Sequence, residues 1–196
     1  LVFAIIPIFF SIQRKKNNSF FLENLNESKK KDGQSIKIPT QKEILQLETL
    51  AQKKGTGIEF NSLIGIWRFI SVWRSGSKDE NKISNSLLRF FSASLELKQN
   101  IETKDSPMFN IVNSIQFGEL SIKFQGSGDL KGSQPILPFF FKEIVVKLGT
   151  KTLFRRSLDI PKEGNRPFFS LIGMEENGQW LAARGRGGGL AVWIKE

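Results

Sequence analysis

From Ile58 to the end of the chain, apolar residues recur at every second position in one short run after another, with turn-forming residues between the runs. A side-chain period of two belongs to the β-strand, whose successive residues point to opposite faces. In residues 64–74, Trp67, Phe69 and Trp73 share one face while Arg68 and Arg74 take the other. Leu95 and Leu97 alternate with Ser94, Glu96 and Lys98. Phe109, Ile111 and Ile115 share a face with Asn113, and Leu120, Ile122 and Phe124 alternate with Ser121, Lys123 and Gln125. Ile144, Val146 and Leu148 continue the pattern, and short runs follow at residues 151–155, 167–174, 179–184 and 190–194. Phe117-Gly118, Gly126 to Gly128, Lys131-Gly132, Leu148-Gly149, Glu163-Gly164-Asn165 and Asn177-Gly178 separate the runs with turn chemistry. Eight or nine strands at this spacing, with no helical pattern among them, predict an antiparallel barrel or sandwich. A barrel of about eight strands encloses room for its own side chains or for one small ligand.

Upstream of Ile58 the signals change. Pro39 precedes Thr40, and Thr40 with Glu43 makes a T-x-x-E capping box that satisfies free N–H groups of a first helical turn. A helix over residues 40–54 is expected, with Ile44, Leu45, Leu47, Leu50 and Ala51 as its apolar stripe and Gly55 and Gly57 as its stop. It would close one end of a barrel or pack against the outside. Residues 17–35 are rich in Asn, Ser and Lys without sustained period and read as a flexible arm. Residues 1–12 (LVFAIIPIFFSI) are strongly apolar and run directly into Arg14, Lys15 and Lys16. Twelve residues fall short of the ~20 that a helical span needs. They read as the end of a longer membrane span with a basic flank, as an interfacial anchor, or as a buried strand. The chain thus divides into an apolar start with a basic arm, residues 1–35, and a β-domain with its leading helix, residues 36–196.

Composition removes most catalytic plans. The chain has 18 Phe and 4 Trp but no Tyr, Cys or His. Without cysteine there is no disulfide, thiolate ligand or thiol nucleophile. Without histidine the usual general base near neutral pH and the commonest metal ligand are missing. Ser–Lys and paired-carboxylate chemistry stay open, but Asp79-Glu80 and Glu175-Glu176 stand beside turn residues and read as solvated turns. No catalytic residue, metal site or cofactor is assigned. The net charge of +10 is shared, with 10 basic against 5 acidic residues in 1–57 and 19 against 14 in 58–196. The short first part is therefore the more basic, which suits an anionic membrane surface or nucleic acid.

Two further features carry a resemblance. Gly65-Ile66-Trp67 opens the first strand, a Gly-x-Trp spacing that recurs in lipocalin-type barrels, where the indole closes the floor under an Arg from the last strands. Arg184 and Arg186 are the candidates for that cation. Residues 180–196 (WLAARGRGGGLAVWIKE) lead from an Arg-bearing strand through Arg-Gly and further glycines into a closing apolar strand. With the Gly-x-Trp strand and the helix before it, this resembles the plastid lipid-associated protein (fibrillin) family over residues 40–196. The chain departs from the family in lacking acidic residues just before Arg-Gly, in residues 179–183. The resemblance implies a mainly β, lipocalin-like antiparallel barrel with one preceding α-helix. It further implies a non-enzymatic protein that associates with thylakoids and binds a quinone, a carotenoid or another lipid. Trp67, Phe69, Phe109, Phe124, Arg184 and Arg186 are then the ligand-binding candidates. Partners would be a lipophilic small molecule, an anionic membrane surface and a photosynthetic membrane complex, with no nucleic acid.

The glycines at 185 and 187–189 precede residues 190–194, which pattern as a strand. A phosphate loop needs a helix N-terminus there, so a tight hairpin is expected. Residues 135–141 (PILPFFF) place three aromatics in succession, and at least one must point outward from a strand. Phe139, Phe140 and Phe141, with Arg14, Lys15 and Lys16, are the membrane-contact candidates. Two other readings compete with the ligand carrier: a coat or assembly protein without a cavity, and a barrel of the bilin-lyase kind that handles an open-chain tetrapyrrole.

Overall fold

The computed structural model describes residues 30–31, 34–73, 93–101, 108–133 and 135–196. The chain divides into two units, Leu1–Pro39 and Thr40–Glu196. In the first, β1 (Lys30–Lys31) and β2 (Gln34–Ser35) pair as a short antiparallel ribbon. The apolar start and Arg14, Lys15 and Lys16 lie outside the described residues.

The second unit opens with α1 (Gln41–Lys54), capped as the sequence dictates. The Glu43 backbone N–H donates to Thr40 Oγ1 at 3.3 Å, and the Thr40 N–H donates to Glu43 Oε2 at 2.7 Å. Gly55 ends the helix at φ 77, a value that L side chains rarely adopt. The one-turn helix α2 (Phe60–Leu63) follows. Among the described residues no helix is long and apolar enough to cross a membrane.

The strands are β3 (Gly65–Trp73), β4 (Ser94–Asn100), β5 (Met108–Phe117), β6 (Leu120–Asp129), β7 (Ile136–Leu148), β8 (Lys151–Ser157), β9 (Phe168–Met174), β10 (Trp180–Gly185) and β11 (Leu190–Lys195). All nine are antiparallel in one sheet of order β6-β5-β4-β3-β11-β10-β9-β7-β8. The sheet closes into a ring because β6 also pairs with β7. Strand β7 makes this possible by changing neighbours along one edge: residues 136–138 pair with β9 and residues 143–148 with β8. Bulges bend the ladder where the ring turns. Each leaves one extra residue between paired ones: Ile70 against β11, Lys142 against β6, Ile172 against β10 and Leu153 against β7.

Paired residues of an antiparallel ladder share a face, so register separates the two sides of the ring. Helix α1 lies outside. The Leu47 Cδ1 methyl approaches to 3.5 Å of where a Cβ of Gly173 would stand, and Glu48 reaches Arg184 of β10. The inward stripe is buried Ile44 and Ala51 with half-buried Leu47 and Glu48 between them, and the expected members Leu45 and Leu50 are exposed. Residues 44, 47, 48 and 51 have true i, i+3, i+4, i+7 spacing, and a charged residue occupies the third place.

Candidate functional site

The interior of the ring is lined by aromatics that touch one after another. Phe69 meets the edge of Trp193 at 5.4 Å between ring centroids, and Trp193 meets Phe169 at 5.4 Å across the intervening strand. Phe169 stacks on Phe139 at 5.0 Å, Phe139 contacts Phe141 at 5.4 Å, and Phe141 contacts Phe124 at 5.5 Å. Contacts at this spacing are those of a packed core. Glycines on β6 admit the bulk opposite them: a Cβ on Gly128 would lie 2.6 Å from Ile111 Cδ1, and one on Gly126 would collide with the Phe140 carbonyl oxygen.

Helix α2 closes one end. Phe60 stacks on Phe109 at 4.0 Å, and Leu63 is fully buried. Trp67, 0% exposed, donates from Nε1 to the Leu63 carbonyl at 2.7 Å. Trp67 is thus buried at the start of β3 and tied to the end of α2. The cation above it is Lys195, whose Nζ lies 5.1 Å from the ring and donates to the Ser62 carbonyl at 3.2 Å. The register decides this, since Lys195 pairs directly with Trp67.

Arg184 and Arg186 do not reach the interior. Arg184 grips Glu48 with Nε on Oε1 and Nη2 on Oε2, both at 2.5 Å, and its Nη1 holds the Gly188 carbonyl at 2.5 Å. The hydrogen bonds that Arg184 donates to the Glu48 carboxylate raise its pKa above the ordinary value, against the opposing effect of burial. Arg184 therefore fastens α1 to β10 and to the β10–β11 turn. Arg186 is exposed and donates to the Arg166 carbonyl at 2.9 Å. The glycine run is a hairpin turn: Gly188 N–H donates to the Gly185 carbonyl, Gly185 N–H to the Gly189 carbonyl, and β11 follows.

The three successive phenylalanines do not form an exposed patch. Strand alternation carries Phe139 and Phe141 into the packed interior, where both are buried. Phe140 faces outward beneath the Arg166 guanidinium, 4.8 Å from the ring, with Lys142 Nζ at 5.7 Å. These contacts remove Phe139 and Phe141 from any membrane contact and leave Phe140 covered by cations.

Packing changes toward the other end. There the ladder sets residues in rows across β5, β6, β7 and β8: Asn113, Phe124, Ile144 and Arg156, then Ile115, Ile122, Val146 and Phe154, then Phe117, Leu120, Leu148 and Lys151. The first row adjoins Leu95 of β4, whose pairing with β5 ends at Ser114. Beyond that level, among the described residues, the four strands run on as a flange with no strand paired to the far edge of β5. Ile115, Ile122, Ile144 and Val146 are only half-buried, whereas Phe109 and Ile111 at the closed end are fully buried. Asn113 Nδ2 is buried among Leu95 and Phe124 with no hydrogen-bond partner. Leaving such a donor unpaired costs about 1–3 kcal/mol. Of the four interior ligand candidates, Trp67, Phe69 and Phe109 are packed into the closed half, and Phe124 stands at the boundary of the open one. Asn113 and the half-buried row beyond it are site residues that the alternation placed on this face without assigning them a role.

A scan against protein-family models finds no match to the chain, and a search of curated proteins returns no match.

Proposed function

We infer that this chain is a non-enzymatic, lipocalin-like barrel of the fibrillin type that holds one lipophilic molecule in the open half of its ring, at a thylakoid-type membrane surface. The observation that carries the reading is the buried, unpartnered Asn113 amide among apolar neighbours at the point where packing loosens. A mostly apolar site with one placed polar group is the usual form of a small-molecule pocket. An N–H donor there selects a molecule with an oxygen acceptor, which a quinone offers at its ring carbonyls. The apolar rows would supply most of the affinity, at about 25 cal/mol for each Å² of apolar surface removed from water. The Gly65-x-Trp67 strand, the Arg-Gly segment and the closed ring support the family assignment together.

The coat-protein reading has one observation in its favour, the dense aromatic contact through the closed half. Native mass spectrometry of the full chain purified from its own membranes tests between them. The carrier retains one small lipophilic molecule, or takes one up when mixed with a prenylated quinone. A chain that stays empty under both conditions contradicts the carrier and leaves the reading without a cavity standing.

A further inference from the structure

The flange ends in two hairpin tips, Phe117-Gly118-Glu119-Leu120 and Leu148-Gly149-Thr150-Lys151, held side by side by a hydrogen bond from Gly149 N–H to the Glu119 carbonyl at 2.8 Å. Both glycines have positive φ, 54 and 56, so each tip turns tightly directly after a large apolar residue. Phe117, Leu148 and Phe154 are 43%, 48% and 46% exposed. They lie on the same face as half-buried Ile115, Ile122 and Val146, as one apolar surface continuous with the interior. Lys151 and Arg156 share that face, and Lys147 flanks the second tip from the opposite face, as Lys123 and Arg155 do farther back. The acidic residues near them are Glu119 in the first tip and Glu143, which is paired with Arg155 at 3.5 Å.

We propose that the paired tips of the β5–β6 and β7–β8 hairpins are the membrane-docking surface, inserting Phe117 and Leu148 into an anionic bilayer while the surrounding lysines and arginines bind its headgroups. This surface rests on the reading of a membrane-associated carrier, and it places the open half of the ring against the bilayer. Apolar residues in a basic surround are the chemistry of an interfacial anchor. A second copy of the chain fits less well. Among the described residues β8 is the open edge of the sheet, and it carries Lys151, Arg155 and Arg156, like charges that oppose edge-to-edge pairing.

The chain has no cysteine, so a single Phe117→Cys or Leu148→Cys variant of the full chain carries an environment-sensitive dye at one tip only. Glu176→Cys is the reference. It is exposed in the β9–β10 turn, where the Gln179 carbonyl accepts from Lys195, at the α2 end of the ring. With vesicles of phosphatidylcholine and phosphatidylglycerol, dye at 117 and 148 shifts to the blue and dye at 176 keeps its aqueous emission. Vesicles of phosphatidylcholine alone bind the protein far more weakly. Lys147→Gln with Lys151→Gln lowers the partition coefficient roughly 25-fold, about fivefold for each charge. Three results overturn the proposal: vesicle binding with aqueous emission at both tips, no vesicle binding, or a tip shift that follows protein concentration without vesicles. In each case quinone quenching of the intrinsic tryptophans, read on the same labelled protein, reports separately whether the interior site stands.

Discussion

Glu48→Leu is the most informative single change outside the ring interior. Leucine has nearly the helix propensity of glutamate, so α1 keeps its backbone preference and the effect isolates the ion pair. The Glu48 side chain is 13% exposed and that of Arg184 is 29%. The pair therefore lies between a buried pair, whose breaking costs about 3–5 kcal/mol, and an exposed one worth about 0–1 kcal/mol. Two charge-assisted contacts at 2.5 Å place the cost at about 2–3 kcal/mol. In a domain of this size that lowers the melting temperature by roughly 5–10 °C. Arg184→Leu costs at least as much, because it strands a carboxylate under the helix and also frees the Gly188 carbonyl. The double variant removes both charges and recovers to within about 1 kcal/mol of the parent, since an apolar pair fills the site. Urea denaturation of the four proteins gives a coupling energy of at least about 3 kcal/mol, the sum of the two single losses less the small loss of the double variant. Single variants that each lose less than about 0.5 kcal/mol would refute the argument, and α1 would then be held by Ile44, Leu47 and Ala51 alone.

Three other outcomes follow from the same geometry. Phe139→Ala empties a site between Phe141 and Phe169 and costs about 3–5 kcal/mol, whereas Phe140→Ala loses only contacts on the outer face and costs far less in the same denaturation assay. Trp67→Phe keeps an apolar ring but leaves the buried Leu63 carbonyl without its donor, at about 1–3 kcal/mol by chemical denaturation. The hydrogen bond from Lys131 holds the Glu163 carboxyl below the usual carboxylate range. The small stabilisation it brings is present above the unfolded-state value and lost as pH falls through the depressed one; carboxyl chemical shifts in Lys131→Gln should titrate higher.

The strands and α1 were legible because both rest on local signals, alternation and a capping box, that survive without knowledge of the partner. Helix α2 was not, since four residues are too few to show a period. The stripe of α1 was misread at Leu45 and Leu50 because Glu48, at the right spacing, looks polar until Arg184 arrives from a strand far along the chain. Bulges were invisible for a related reason: Ile70, Lys142, Ile172 and Leu153 are extra only with respect to a neighbouring strand. Pairing also decided which cation meets Trp67. Sequence offered two arginines near the expected place, and register put Lys195 opposite Trp67 instead. Asn113 was placed on the inward face by alternation, but its missing partner is a property of the folded interior.

Titrating a quinone into the parent protein and a Phe124→Trp variant, while following tryptophan emission, shows whether the ring holds a ligand beside Phe124. Phe124 stands where packing gives way to the half-buried rows, so the larger ring should occupy ligand space at little cost in stability. The expected result is saturable, one-to-one quenching in the parent that the variant loses, with denaturation midpoints that nearly coincide. No saturable quenching in either protein, together with a variant destabilised by the ~1–3 kcal/mol of an overpacked core, would contradict it.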